Sequence, residues 1–264
     1  MIGIFDSGLG GLSALKEVRR LLPSEDIIYF GDTGRVPYGT RSKETIIKYS
    51  LQDMSFLVSK GVDAVLVACG TVSSNALSVL REKHPSIPII GVIDAGVRAA
   101  AKATKNKIIG IAGTPSTIGS GAFEKGLHTI SEDFRTVSAA CPLFVPLVEN
   151  GFVSDDDEIT RLAAQTHLKP IIESGADTLI LGCTHYPIIA GAIGKVMPDA
   201  KLINVGAAAA EELRTVIDTG ISTLRLGRVQ YYVSDEPQGF ERIASIFLGE
   251  EICDAVTRID IEKY

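Results

Sequence analysis

The sequence has no cluster of basic residues, and this absence narrows the kinds of ligand that the protein is expected to bind. No run of Lys and Arg is longer than a dipeptide, and 32 acidic residues outnumber 26 basic ones, for a formal net charge of −6. Nucleic acids and anionic membrane surfaces are bound by basic patches, so neither is an expected partner. The expected partner is a small molecule or another protein.

The sequence also lacks long apolar runs. No segment approaches the roughly 20 apolar residues that span a bilayer, and the chain enters Ile2–Gly3–Ile4 without the basic segment of a secretory signal. We therefore expect a cytoplasmic, unprocessed protein. Its 264 residues, 45% of them hydrophobic, suffice for one large domain or two modest ones.

Cysteines are few and widely spaced: Cys69, Cys141, Cys183 and Cys253. No Cys-x-x-Cys spacing occurs, and no histidine stands at the offsets that zinc sites use, so no structural metal is expected. A reducing compartment disfavours disulfides. Each thiol is therefore either a small core residue or a reactive group, and for any one of them taken alone the core is the better interpretation.

Short β-branched runs alternate with helix-length segments along the chain. The runs are apolar throughout, as expected of strands that are covered by helices on both faces. This rhythm predicts an α/β fold of mostly parallel strands, in which ligands bind at the carboxyl ends of the strands. The predicted strands are IGIF, DIIYF, AVLVA, PIIGVI, KIIGIA, TLILG and KLINV.

An internal repeat relates two of these strands. Gly61–Cys69 (GVDAVLVAC) and Gly175–Cys183 (GADTLILGC) both begin with glycine, a small apolar residue and aspartate, and both end a strand on cysteine. A repeat that occurs only twice indicates two pseudo-symmetric lobes, since a solenoid needs at least three units. We expect 1–93 and 206–264 to form the first α/β lobe and 94–205 the second, with the active site in the cleft between them.

Equivalent strand ends in facing lobes would place Cys69 and Cys183 on opposite sides of one ligand. If one thiolate removes a proton from a carbon acid and the other thiol protonates the opposite face, the product is the mirror image of the substrate. The pair therefore predicts a two-base racemisation. Taken separately, either cysteine is also explained as a small residue at a strand end.

Each thiol needs a neighbour that helps it to ionise, because a free cysteine has a pKa of about 8.5. His185 could serve Cys183. Asp6, at the end of IGIF, could serve Cys69, although a helix cap explains Asp6 equally well. The loop DSGLGGLSAL lacks the spacing of nucleotide-binding motifs. Hydroxyl residues that follow strands could instead bind a carboxylate: Ser7, Thr71, Thr114, Thr117 and Thr184.

Two further segments carry polar side chains whose place the sequence leaves open. GDTGRVPYGTRS, with Arg35 and Tyr38, is explained equally well as an active-site loop and as a surface turn. Glu149 is a lone carboxylate in the apolar stretch PLVENG. It could pair with His185, but spacing alone does not establish that pairing.

With these segments assembled, the chain resembles the cofactor-independent aspartate/glutamate racemase family, and within it the glutamate racemases. The resemblance covers nearly the whole length. It is carried, in the family's order, by IFDSGLGGLSAL, YFGDTGRVPYG, VACGT, IGIAGTPSTIGSGAF, CPLFVPLVENG and LGCTHYP.

The resemblance implies a two-lobed enzyme that interconverts L- and D-glutamate for peptidoglycan synthesis with no cofactor, neither pyridoxal phosphate nor a metal. It implies that Cys69, assisted by Asp6, acts on the D-enantiomer, and that Cys183, assisted by His185, acts on the L-enantiomer, with Glu149 orienting the imidazole. It also implies a homodimer as an expected arrangement. The residues expected to contact substrate are Asp6, Ser7, Tyr38, Gly39, Gly70, Thr71, Thr117, Thr184 and His185.

The sequence departs from the family pattern at two places. The family's Cys-Asn-Thr block is Cys69–Gly70–Thr71 here, and a family Asp-Ser pair is Asn204–Val205. Losing an amide that bonds a charged ligand group costs about 1.5–3 kcal/mol, so binding roughly ten- to a hundredfold weaker is expected unless another group replaces it. Two alternatives therefore stand: racemisation of another acidic amino acid such as aspartate, or a weakly active racemase-like protein that binds or regulates.

Overall fold

A computed structural model describes residues 1–217, 225–237, 240–250, 252 and 255–264 of the chain. Over these residues the protein forms two sheets in which all paired strands are parallel. The α/β class with parallel sheets is therefore confirmed. Within the same residues, no helix combines the length and the hydrophobicity that a membrane crossing requires.

The strands fall in two groups along the chain. In chain order they are β1 (Ile2–Asp6), β2 (Ile27–Gly31), β3 (Ala64–Val67), β4 (Ile89–Gly91), β5 (Ile108–Gly113), β6 (Arg135–Ala140), β7 (Thr178–Leu181), β8 (Lys201–Asn204), β9 (Val229–Val233) and β10 (Val256–Arg258). One sheet has the order β10-β9-β2-β1-β3-β4 and the other the order β6-β5-β7-β8. The first strand of the chain thus lies inside the larger sheet, between β2 and β3.

All seven predicted runs form strands, and the part of the chain that the structure describes contains three further strands that the sequence did not predict. β6 is a partly exposed edge strand of mixed polarity, and β10 is a short, largely exposed edge strand. β9 alternates between more and less buried positions and so lacks the continuous apolar run that marks the central strands. The sequence signal is strongest where both faces of a strand are covered.

The helices cover the faces of the two sheets. They are α1 (Leu12–Leu21), α2 (Lys43–Ser59), α3 (Gly70–Asn75), α4 (Leu77–Lys83), α5 (Val92–Ala103), α6 (Pro115–Ser120), α7 (Ala122–Ile130), α8 (Phe144–Glu149), α9 (Glu158–Glu173), α10 (Ala190–Val196), α11 (Val205–Val216) and α12 (Phe240–Leu248). Short 3₁₀ turns occupy Thr33–Arg35, Tyr38–Thr40, Tyr186–Ile189 and Ile261–Lys263.

Helices α5 and α11 connect the two sheets. α5 follows β4 and α11 follows β8, and the two helices pack on each other and on strands of both sheets. Their apolar faces belong to one continuous core that extends from Ile4 in the first sheet to Ile180 in the second. Because α5 and α11 contact both sheets, the lobe boundaries at residues 93 and 205 stay a prediction.

The repeat has a common structural role in both lobes. Gly61 and Gly175 each adopt a positive φ, +77° and +72°, in the turn after a helix, a conformation that favours glycine. The aspartate two residues later binds the segment that leads into the neighbouring strand. Asp63 Oδ2 accepts a hydrogen bond from the amino group of Met1 at 2.8 Å, just before β1. In the second lobe the corresponding acceptor is Asp177.

Asp177 accepts three hydrogen bonds before β5, from the Thr104 hydroxyl and from the N–H groups of Lys105 and Asn106, each at 2.7 Å. Burial raises the pKa of Asp177, but these hydrogen bonds outweigh burial and lower it. A carboxyl group with a lowered pKa stabilises the fold above its unfolded pKa of about 3.9, and this stabilisation is lost as the pH falls through the folded value.

We therefore expect Asp177→Asn to lower the free energy of unfolding at neutral pH by roughly 1 kcal/mol, because the site is partly exposed. The difference from the wild-type protein should shrink as the pH falls below about 4. Urea unfolding across this pH range measures it, with Asp199→Asn, an exposed carboxylate, as the control. A difference that is independent of pH would contradict the role assigned to the charge.

Candidate active site

The two cysteines of the repeat occupy equivalent positions in the two lobes. β3 ends at Val67 and β7 at Leu181, and in each case the cysteine follows two residues later. Cys69 and Cys183 are both buried, with 6% and 8% of their surface exposed. They therefore lie just past the carboxyl ends of parallel strands, which is where ligands bind in open α/β sheets.

The residues next to the two cysteines contact each other across the lobes. Gly70 follows Cys69, and Gly182 precedes Cys183. A Cβ on Gly70 would lie 2.7 Å from the carbonyl oxygen of Gly182. Both cysteines are therefore chain neighbours of one contact between the two sheets, and we call the region around this contact the cleft.

An imidazole and a carboxylate lie in line behind Cys183. His185 Nδ1 is 3.8 Å from Cys183 Sγ, and His185 Nε2 is 3.0 Å from Glu149 Oε1. Burial lowers the pKa of His185, but the interactions with Cys183 and Glu149 outweigh burial and raise it to about 10. At neutral pH the ring is therefore an imidazolium. The pairing of Glu149 with His185, which spacing could not establish, is present in the structure.

Cys69 has a different environment. Ser7 Oγ is 3.3 Å from Cys69 Sγ. Burial and the charge of Asp6 raise the pKa of Cys69 to about 12, so this group is a neutral thiol at neutral pH. Burial also raises the pKa of Asp6, against the opposing effects of the His185 charge and of backbone hydrogen bonds such as that from Gly8 N–H, at 3.0 Å.

The glycine-rich loop after β1 permits close packing in the cleft. A side chain on Gly10 would overlap the Thr184 hydroxyl and the His185 ring, which belong to the other lobe. A Cβ on Gly11 would lie 2.6 Å from the Cβ of Asp6. The Ser13 hydroxyl also donates to the Thr184 carbonyl at 2.7 Å, across the lobes. The loop and the first turn of α1 thus contact the other lobe beside Cys183.

Hydroxyl side chains and one glycine turn line the same region. Thr71, Thr117 and Thr184 are buried, with 5%, 1% and 5% of their surface exposed. The Thr114 side chain caps α6 by accepting from Thr117 N–H at 3.3 Å. A Cβ on Gly39 would contact Thr114 at 4.0 Å, so the turn that contains Gly39 faces α6 of the other lobe.

The side chains of Arg35 and Tyr38 do not point into the cleft but belong to a buried ion cluster. Arg35 donates from Nε to Asp32 at 2.6 Å and from Nη2 to Asp53 at 2.8 Å. The Tyr38 hydroxyl donates to Asp32 and lies 3.1 Å from Asp53 Oδ2. The Tyr38 hydroxyl is therefore bonded within this cluster.

Asp32 and Asp53 are the residues that sequence reasoning missed. Both are fully buried, and they share a single guanidinium. Burial and the charge of Asp32 raise the pKa of Asp53 well above its usual value, although Arg35 opposes the shift. The sequence of α2 contains a signal that could have found Asp53: this carboxylate stands beside Met54, among the residues that the helix buries.

The other residues singled out by the sequence have structural surroundings. Asn204 caps α11, because its side chain accepts from the N–H groups of Gly206 at 3.0 Å and Ala207 at 3.1 Å. Val205 is buried and packs against Gly96 of α5. Cys141 is fully buried, and burial raises its pKa to about 12, as expected of a core thiol. Cys253 lies outside the described residues.

The site combines proton-handling groups from both lobes around one cleft. One lobe presents a neutral thiol beside Asp6, and the other presents a sulfur beside an imidazolium. No group of His, Cys, Asp and Glu side chains in the described part of the chain is arranged to hold a metal ion. Fold and site together define a two-lobed α/β isomerase of the racemase class.

Comparisons with known proteins identify the family. The family model described as Asp/Glu/Hydantoin racemase matches residues 10–213. The chain is 44% identical to a glutamate racemase of Geobacter metallireducens, over 99% of this chain and 97% of that one. It is 45% identical to a glutamate racemase of Persephonella marina, over 95% and 94% of the two chains.

A solved structure shows the same likeness. The crystal structure of glutamate racemase from Francisella tularensis in complex with D-glutamate superposes with a TM-score of 0.91 at 38% identity, and the match covers 100% of this chain and 98% of that one. The chain therefore belongs to the Asp/Glu/hydantoin racemase family.

The effect of Asp6 on the pKa of Cys69 can be tested by substitution. Because this charge raises the pKa of Cys69, we expect Asp6→Asn to lower that pKa and to speed the alkylation of Cys69 by iodoacetamide several-fold at neutral pH. Mass spectrometry of the alkylated peptide measures the rate. The control is Asp63→Asn, which removes a carboxylate just before β3, at the opposite end of the strand from Cys69. Slower or unchanged alkylation of Cys69 in Asp6→Asn would contradict the assignment.

Proposed function

We propose that the protein interconverts L- and D-glutamate by transferring protons at the α-carbon between two cysteines. The observation that carries the proposal is the pair Cys69 and Cys183, at equivalent strand ends and each with its own acid-base neighbour. Relatives that match over nearly the full length are glutamate racemases, and one was crystallised with D-glutamate. These relatives support glutamate as the substrate.

In the direction from L to D, the Cys183 thiolate removes the α-proton, and the electron pair of the broken C–H bond stays on the α-carbon. The Cys69 thiol then protonates this carbon from the opposite face, which gives D-glutamate. Cys183 ends as the thiol and Cys69 as the thiolate, so the reverse reaction starts from the exchanged states. The pKa of about 12 at Cys69 supports its role as the proton donor.

His185 and Asp6 assist the two thiols in different ways. The imidazolium of His185 places positive charge beside the sulfur that must be negative before it accepts the α-proton, and Glu149 keeps the ring charged. On the other lobe, the raised pKa of Asp6 suits this carboxyl group to take a proton and return it to Cys69.

The substrate's polar groups are held without cationic side chains. We assign this role to the hydroxyls and backbone N–H groups that line the cleft, at Ser7, Gly39, Thr71, Thr117 and Thr184. Tyr38 contributes through its backbone, since its hydroxyl is bonded to Asp32. Fixed donors of this kind stabilise negative charge on the substrate carboxylates as the carbanion forms.

We propose that the product D-glutamate supplies peptidoglycan synthesis in the cytoplasm and that the protein acts as a homodimer. We also assign residues 1–93 and 206–264 to the first lobe and 94–205 to the second, with one cysteine contributed by each.

The central test is loss of racemisation in either single cysteine variant. We expect Cys69→Ala and Cys183→Ala each to lower racemisation by roughly 10²–10⁴-fold, because an acid and a base on opposite faces are both required. Circular dichroism of glutamate measures the rate. The matched control is Cys141→Ala, a thiol buried in the core, which should stay active. Full activity in either cleft variant would refute the two-base assignment.

The substrate is tested with the same purified protein. In deuterated water, α-hydrogen exchange should be faster with glutamate than with aspartate or other acidic amino acids. Faster exchange with aspartate would show that aspartate, and not glutamate, is the preferred substrate. No exchange with any acidic amino acid would contradict the racemase assignment.

A further inference from the structure

Gly70 and Gly182, which belong to different lobes, approach so closely that a side chain on Gly70 would not fit without a shift. Gly70 is the first residue of α3, and Gly182 follows β7. A Cβ on Gly70 would lie 2.7 Å from the carbonyl oxygen of Gly182, whereas ordinary van der Waals contacts of a Cβ begin at 3.4 Å. Any side chain at position 70 therefore requires one of the two backbones to move by about 0.7 Å, the difference between these distances.

The second lobe cannot easily provide this movement. Gly182 N–H donates to the carbonyl oxygen of Ala112 at 2.8 Å, which continues the pairing of β7 with β5. A Cβ on Gly182 itself would lie 2.8 Å from that oxygen and 2.8 Å from the Phe123 ring. The Gly182 backbone is therefore confined on the side that faces its own lobe.

The first lobe holds Gly70 equally firmly. Ser73 N–H donates to the carbonyl oxygen of Cys69 at 2.9 Å, and the Ser73 hydroxyl donates to that of Val67 at 3.2 Å. The backbone from the end of β3 into α3 is thus fixed on both sides of Cys69. With both backbones held in their lobes, a side chain at position 70 must be accommodated by separation of the lobes.

We propose that Gly70 is a positioning residue: its missing side chain lets the lobes close until the backbones touch, and this contact sets the separation between the two thiols. The inference rests on the proposed two-base reaction. Each glycine is the chain neighbour of one cysteine, so a displacement at the contact passes directly to the Cys69 and Cys183 sulfurs.

This role gives a different explanation for the glycine that replaces asparagine in the family's Cys-Asn-Thr block. From the sequence, glycine at position 70 is expected to weaken substrate binding, because a side-chain amide is missing. In the structure, the Cβ of an asparagine would be directed at the Gly182 carbonyl and at Thr117 Oγ1, 3.5 Å away, which lies on the second lobe. An asparagine introduced here therefore acts first as a wedge between the lobes.

The experiment compares Gly70→Ala and Gly70→Asn with the wild-type protein, with L- and D-glutamate in deuterated water. Misplacing reacting groups by about 1 Å can cost on the order of a hundredfold in rate, so we expect kcat to fall about 10- to 100-fold in both directions, with a smaller change in KM. Gly119→Ala is the control, because a Cβ there meets no atom within 4 Å.

The most informative measurement is a ratio of two rates: α-deuterium exchange that retains the configuration of the substrate, divided by inversion of the configuration. If the thiols stand further apart, one thiol still removes the proton and exchanges it with solvent, but delivery from the opposite face slows. The ratio should therefore rise from glycine to alanine to asparagine. It does not depend on the folded fraction, since unfolded molecules contribute to neither process, so partial misfolding of a variant leaves the test intact.

Three outcomes would overturn the inference: unchanged kcat in Gly70→Ala, a gain of turnover in Gly70→Asn, or equal losses of exchange and inversion. The proposed function has a separate point of failure, because it is contradicted if the wild-type protein neither exchanges nor inverts glutamate.

Discussion

Between the two lobes, the carbonyl oxygen of Gly182 lies 2.7 Å from the position that a Cβ on Gly70 would occupy, too close for a side chain there. Nearby, Thr184 and His185 fill the space that a side chain on Gly10 would need. These contacts require glycine at positions 10 and 70, each of which follows the end of a parallel strand of the first sheet. They place groups from two separate sheets within reach of one small molecule, which neither lobe could do alone.

Cys69 and His185, on the two sides of the cleft, are both buried, but their neighbours give them different charge states. Cys69 loses hydration and lies near Asp6, so its pKa rises to about 12 and it holds its proton. His185 is equally buried, but the sulfur of Cys183 and the carboxylate of Glu149 more than offset the loss of hydration and keep the ring charged. This difference supports the proposed reaction from L- to D-glutamate, in which Cys183 is the base and Cys69 the proton donor.

The sequence predicts features that arise from local patterns and misses features that depend on contacts between distant segments. The seven apolar runs and the repeat that ends on Cys69 and Cys183 are local patterns, and all seven runs form strands. The edge strands β6 and β10 carry polar residues and lack such a pattern. Asp53 was missed because it meets Arg35 only through the fold. Asp32 is only three residues before Arg35, but no local pattern indicates that its carboxylate is buried. The surroundings of Gly70 depend on an approach between lobes that no local pattern encodes, so the sequence suggested a lost amide where the structure has a backbone contact.

In the proposed reaction, two different thiols handle the proton on the two faces of the substrate. The most direct measurement is the position of deuterium during the first few per cent of the reaction of L-glutamate in deuterated water. We predict deuterium at the α-carbon of the D-glutamate formed and almost none in the L-glutamate that remains, because the new proton comes from a thiol equilibrated with solvent on the opposite face. D-glutamate that retains the original protium, or deuterium that enters both enantiomers at equal rates, would contradict the account.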